Sequence, residues 1–106
     1  MSRRGGYQGG MPSNMNNMLK QAQRMQAQMQ EKQKAIEATE FRATSGGGAV
    51  SVTLMGDKSV KELTIAQEAV DPDDVETLQD LILAALNEAM KQIDEETEKL
   101  LGGMGI

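Results

Sequence analysis

TEFRATSGGGAVSVTLMGDKSVKELTI, residues 39–65, decides the fold. From Thr39 the side chains alternate, with Thr39, Phe41 and Ala43 on one face and Glu40, Arg42 and Thr44 on the other. Alternation at a period of two is the mark of a half-buried strand. Gly46-Gly47-Gly48 is a turn signal, after which Val50, Val52 and Leu54 alternate with Ser51, Thr53 and Met55. Gly56-Asp57 begins a second tight turn, and Leu63 and Ile65 then share an apolar face. The stretch predicts an antiparallel meander of three strands with one wet face. Its apolar face and open edge need covering by helices or by a second copy.

Outward from this meander the period changes. From Pro12-Ser13, with Ser13 the expected N-cap, to about Glu37 there is no Gly or Pro, and Met, Gln, Ala, Lys and Glu dominate. Met15, Ala22, Met29 and Ile36 recur every seven residues, and Met18, Met25 and Lys32 fill the positions three further on. This narrow heptad stripe, flawed at Lys32, resembles a two-stranded coiled-coil seam more than the broad face of a buried helix. A helix of about 24 residues is ~36 Å long, so part of it is expected to project or to pack on a partner. Beyond the meander, Asp71-Pro72-Asp73-Asp74 opens a second helix, with Asp71 the expected cap and Pro72 at the first helical position. Val75, Leu78, Ile82, Ala85, Ala89 and Ile93 mark one apolar face, which Leu81, Leu83, Leu86 and Met90 widen. The run LILAAL, residues 81–86, is apolar all round and calls for cover from two directions. Gly102-Gly103 is the expected end. The chain therefore reads as an α+β protein of order α-β-β-β-α, with a Gly-rich tail at 1–12, one domain at 13–101 and a flexible end at 102–106.

Composition bounds the chemistry. With no Cys and no His among 106 residues, disulfides, thiolate nucleophiles, the usual general base and the commonest metal ligands are missing, so an enzyme is not expected. No apolar run reaches the ~20 residues of a membrane helix, and no secretory signal is evident, so a cytoplasmic location is expected. Tyr7 and Phe41 are the only aromatics, and nine Met supply part of the missing core volume. So thin a core predicts a homo-oligomer. The net charge of −5 conceals two halves: residues 1–44 carry +4 and residues 45–106 carry −9. Screening beyond about 8–10 Å allows the basic end to meet a polyanion despite the acidic half.

Candidate sites follow from these patterns. Gly46-Gly47-Gly48 precedes a strand and lacks a following Lys-Ser/Thr, so it reads as a turn and not a phosphate loop. Asp71, Asp73, Asp74 and Glu76 lack the spacing of a calcium loop and read as helix capping, so neither a metal nor a cofactor is expected. Lys20 and Arg24 share a helix face, with Lys32 and Lys34 further on and Arg3 and Arg4 in the tail. Spaced charges of this kind suit phosphate contact without base readout. Few aromatics argue against stacking on single strands.

The run VDPDDVETLQDLI at 70–82, with AALNEA at 84–89, GGGAVSV at 46–52 and Gly56, resembles the YbaB/EbfC nucleoid-associated family. The Met- and Gln-rich first helix is similar to that family as well. The resemblance implies a bacterial α-β-β-β-α homodimer that binds double-stranded DNA with little sequence preference, alters its conformation, and serves nucleoid organisation and gene regulation. It implies no enzymatic activity; from the chain itself neither a small-molecule substrate nor a membrane partner is expected. Lys20, Arg24, Lys32, Lys34, Arg3 and Arg4 are the DNA-contacting candidates. Leu81, Ile82, Ala85, Leu86 and Ala89 are expected at the dimer interface. The rival expectation is a small helical adaptor or chaperone that grips partners through the Met-rich first helix.

Overall fold

The computed structural model describes residues 14–100 and Gly102 with their side chains. The expected tail at 1–12, with Arg3 and Arg4, and most of the expected end at 102–106 lie outside the described residues. The elements are α1 (Ser2–Glu37), β1 (Glu40–Ser45), β2 (Val50–Met55), β3 (Val60–Ile65) and α2 (Val75–Gly105), with single 3-10 turns at Gly46–Gly48 and Gln67–Ala69. The strands form one antiparallel sheet in the order β1-β2-β3, the meander that the alternation predicts. The α-β-β-β-α order is thus as expected. The chain divides into two compact units, Met1–Lys32 and Gln33–Ile106.

In the second unit, the pleat sends Phe41, Ala43, Val50, Val52 and Leu54 to one face, and α2 packs across β1 and β2 on that face. Ala85, Ala89 and Ile93 of α2 close the core, and Ile36, from the last turn of α1, packs at its margin. Val50, Val52, Leu54 and Ile93 have essentially no exposure. Burial of each such side chain stabilises the fold by about 1.5–3 kcal/mol. Ser45 fastens the end of β1 to α2, its hydroxyl donating to the Leu81 carbonyl at 2.6 Å. The adjacent Gly46 has φ +60, and a Cβ there would stand 2.8 Å from Leu81 Cδ2.

The outer face is polar, and a bulge at Thr53/Leu54 shapes it. Thr53 pairs with Glu62 and Leu54 with Val60, so Lys61 is the extra residue. Its ammonium forms an ion pair with Glu40 on β1. The β2–β3 turn is held by Met55 N–H to Ser59 O and Lys58 N–H to Met55 O, both 2.8 Å. Lys58 takes the left-handed conformation there, at φ 73.

The start of α2 differs from expectation. Asp74, not Asp71, caps the helix: its carboxylate accepts the Thr77 N–H at 3.3 Å and the Thr77 hydroxyl at 2.7 Å. Asp71 accepts the Asp73 N–H at 2.9 Å, and its carbonyl accepts the Asp74 N–H at 3.0 Å. Pro72 therefore sits inside a turn, where its fixed φ is equally at home.

Gly56 packs directly against the backbone at the end of α1. Its N–H donates to the Thr39 carbonyl at 3.0 Å, and a Cβ built on it would lie 1.8 Å from the Ile36 carbonyl oxygen. No rotamer relieves a clash with backbone. Gly56→Ala is expected to cost about 3 kcal/mol, at the upper end of overpacking penalties, lowering the melting temperature by more than about 10 °C. Thermal unfolding followed by circular dichroism checks this, with Gly102→Ala, where nothing lies within 4 Å, as the control.

Candidate nucleic-acid interface

Two surfaces stand out: a polar groove along α1 and an apolar trough beside α2. At 100° per residue, α1 carries two neighbouring stripes. Asn14, Asn17, Gln21, Arg24 and Gln28 are spaced three and four apart, parallel to the Met stripe. Asn14, Asn17, Lys20, Gln21 and Arg24, with Met18 at one rim, line a shallow groove. All are exposed. Lys20 and Arg24 are thus brought together, as the spacing predicts. Lys32 and Lys34 are exposed but line no part of this groove. The ion pairs among the described residues join Lys58 to Asp94, Lys61 to Glu40 and Lys99 to Glu96, and none engages these four cations.

The amides are the component that charge counting misses. Their signal was present as a 3-4 spacing of Asn and Gln beside the Met heptad. Amide, ammonium and guanidinium groups in one row offer hydrogen-bond donors to phosphate oxygens. A helix with side chains is about 10–12 Å across, close to the ~12 Å width of the major groove of DNA. Arg42, the remaining cation of the basic half among the described residues, stands on the polar sheet face, its register neighbours being Thr53 and then Glu62. That face is of mixed charge and adds no basic patch.

The trough is built by the limited reach of α2. Leu63 pairs directly with Val52 and therefore points to the face that α2 covers, yet it is 45% exposed. On α2, Ile82, Leu86, Met90 and Leu83 follow one flank, with Leu83 57% exposed and the other three half-buried. Asp94 lies further round on this flank and pairs with Lys58 of the β2–β3 turn at 3.1 Å, so the flank faces the β3 side. Leu81 lies on the opposite flank, beside Ser45 and Gly46. Of the five α2 residues expected at an interface, Ile82 and Leu86 line the trough and Leu81 lies away from it. Ala85 and Ala89 have no exposure and belong to the protomer's own core.

A small α-β-β-β-α protein with a basic, amide-lined first helix fits a nucleic-acid-binding class. The family model of the YbaB/EbfC DNA-binding family matches residues 11–105. The chain is 55% identical over 109 residues to a nucleoid-associated protein of Agathobacter rectalis, covering 99% of this chain and 96% of the relative. It is 56% identical over 107 residues to a nucleoid-associated protein of Clostridium acetobutylicum, covering 97% and 96%. Among solved structures, an uncharacterized protein of Helicobacter pylori matches with a TM-score of 0.64 at 28% identity, covering 87% of this chain and 94% of that one. The chain belongs to the YbaB/EbfC DNA-binding family.

Two carboxylates on the sheet side titrate unusually. The hydrogen bond and charge of Lys61 hold Glu40 below its ordinary 4.5. Hydrogen bonds from the Ser59 hydroxyl and amide hold Asp57 below 3.8. Both folded-state values are depressed, so their stabilising contribution is present above the ordinary values and is lost as pH falls through the folded ones. In Lys61→Met the Glu40 pKa is expected to rise toward 4.5 while Asp57 stays unmoved, as carboxyl titration by NMR will show.

Proposed function

We propose that this protein binds duplex DNA with little sequence preference through α1, and that it acts in the nucleoid as a homodimer. The observation that carries the reading is the exposed row of Lys20 and Arg24 with Asn14, Asn17 and Gln21. Membership of a DNA-binding family supports it, as do the names of the nucleoid-associated relatives. Lys32 and Lys34 extend the charge along the helix, and Arg3 and Arg4 add to it at the N-terminus. Contacts to phosphate position a protein without reading sequence, which suits a role in shaping DNA and, through its shape, in gene regulation. No catalytic step and no small-molecule substrate enter this reading.

The second copy belongs on the trough. Leu63, Ile82, Leu83, Leu86 and Met90 form an apolar surface that a lone protomer leaves in water. A self-complementary surface closes around a two-fold axis. Two DNA-binding helices on one particle then raise avidity through effective concentration.

Binding to an arbitrary duplex, measured across a salt titration, tests the DNA contact. Lys20→Ala with Arg24→Ala is expected to weaken binding about equally on every sequence. The slope of log affinity against log salt should flatten by roughly one to two units for each α1 that engages the duplex, from loss of up to two phosphate contacts per helix. An unchanged affinity and slope would remove Lys20 and Arg24 from the interface.

For the dimer, Leu83→Glu is expected to yield a folded monomer by sedimentation, because it charges the trough without entering the core. Ala85→Glu is expected to unfold the protomer itself, since a charge there is buried without a partner. A dimer that survives Leu83→Glu would place the second copy elsewhere.

A further inference from the structure

The trough leaves one apolar feature unexplained, the Met stripe of α1. Met15, Met18, Leu19 and Met25 are 53%, 68%, 57% and 51% exposed. With Met15, Ala22 and Met29 at the first heptad position, Met18, Met25 and Lys32 take the fourth. The flanking positions are then Asn14, Gln21 and Gln28 on one side and Leu19 and Gln26 on the other. None of these flanking residues is charged. In a coiled coil those are the positions where like charges would repel a second copy, so identical helices meet here without opposition. Lys20 and Arg24 lie more than about 120° round the helix from the seam centre, at 100° per residue.

Lys32 decides the orientation. In a parallel pair it would face its own copy within one core layer. In an antiparallel pair with Ala22 set against Met25 of the second helix, Met18 meets Met29 and Lys32 meets Met15 at the end of the seam. There the Lys stem can lie along apolar surface with its ammonium in water. The small Ala22 receives the large Met25, and the flexible thioethers fill the remaining layers. The opposed helix dipoles also favour this direction.

We propose that the 15–32 seam of α1 pairs antiparallel with the same seam of a second copy. Lys20 and Arg24 then stand outward on both sides of the pair, so that it presents two basic ridges and bridges two DNA duplexes. The pairing rests on the stripe alone, whereas the bridging also rests on the DNA reading above. This contact is separate from the trough, so a chain using both surfaces joins copies into larger assemblies.

Because the natural chain has no cysteine, introduced thiols report the register directly. Met18→Cys with Met29→Cys in the full chain, under mild oxidation without DNA, is expected to give a disulfide between residue 18 of one copy and residue 29 of another. Either substitution alone is expected to give none. In this register two copies of residue 18 are offset by 11 residues, about 16 Å at 1.5 Å per residue, beyond the ~7 Å between Cα atoms that a disulfide can span. A cross-link through Met18→Cys alone, or none in the double variant, overturns the antiparallel seam.

The second arm uses Met15→Gln with Met25→Gln, exposed seam positions outside the groove lining, where Gln is a good helix former and adds no charge to repel phosphate. This variant is expected to bind a single duplex as the natural chain does, and to lose capture of a second duplex on immobilised DNA at least tenfold. Undiminished capture overturns the bridging. A cross-link in the Met18→Cys with Met29→Cys variant, together with a natural chain that binds no DNA, would overturn the DNA reading and leave the pairing standing.

Discussion

The close docking of α2 on two strands governs the rest of the molecule. Ala85 and Ala89, one turn apart and without exposure, let the helix axis sink toward β1 and β2. A helix is about 10 Å wide and strands lie about 4.8 Å apart, so one helix roofs two strands and no more. β3 is consequently left with its inner face open at Leu63, and the outer flank of α2 is left with Leu83 in water. The trough is the geometric remainder of covering three strands with a single helix. Larger residues at 85 and 89 would lift α2 from the sheet and dissolve the core that it seals.

Much of this was legible in the chain. The alternation of Phe41 and Ala43, then of Val50, Val52 and Leu54, assigns faces that the register reproduces. The Gly turns separate the strands where the structure turns them. What periodicity cannot supply is direction. Around α2 the apolar residues spread so widely that the side meeting the sheet is not marked, and Ala85 and Ala89 were therefore expected at an interface though they lie in the core. The cap was ambiguous for a related reason. Asp71, Asp73 and Asp74 all offer carboxylates, and only the turn formed by Asp71 and Pro72 leaves Asp74 to receive Thr77.

The candidate DNA site was legible in its charges and not in its amides. Lys20 and Arg24 announce themselves, because a net-charge count isolates the basic half. Asn14, Asn17 and Gln21 carry no charge and sit in a Gln-rich helix, so they attract no notice until the backbone places them in one groove with the two cations. An interface made of neutral donors around a few cations holds a phosphate backbone by direction as well as by attraction. Hydrogen bonds of that kind weaken less with salt than the charges do, which makes the groove more than a sum of its cations.

The consecutive pairing of β1, β2 and β3 also sets an order of assembly. Each hairpin closes a loop of only a few residues, which is entropically cheap and fast. α2 must instead return over a longer span, and its tie to Ser45 joins residues 36 apart in sequence. The meander is thus free to form first, and docking of α2 is the later, slower step. Until that step the whole apolar face, not only the part over β3, is open to solvent. A second chain that arrived early would compete with α2 for the surface that α2 seals, so any pairing of copies would be productive only after docking.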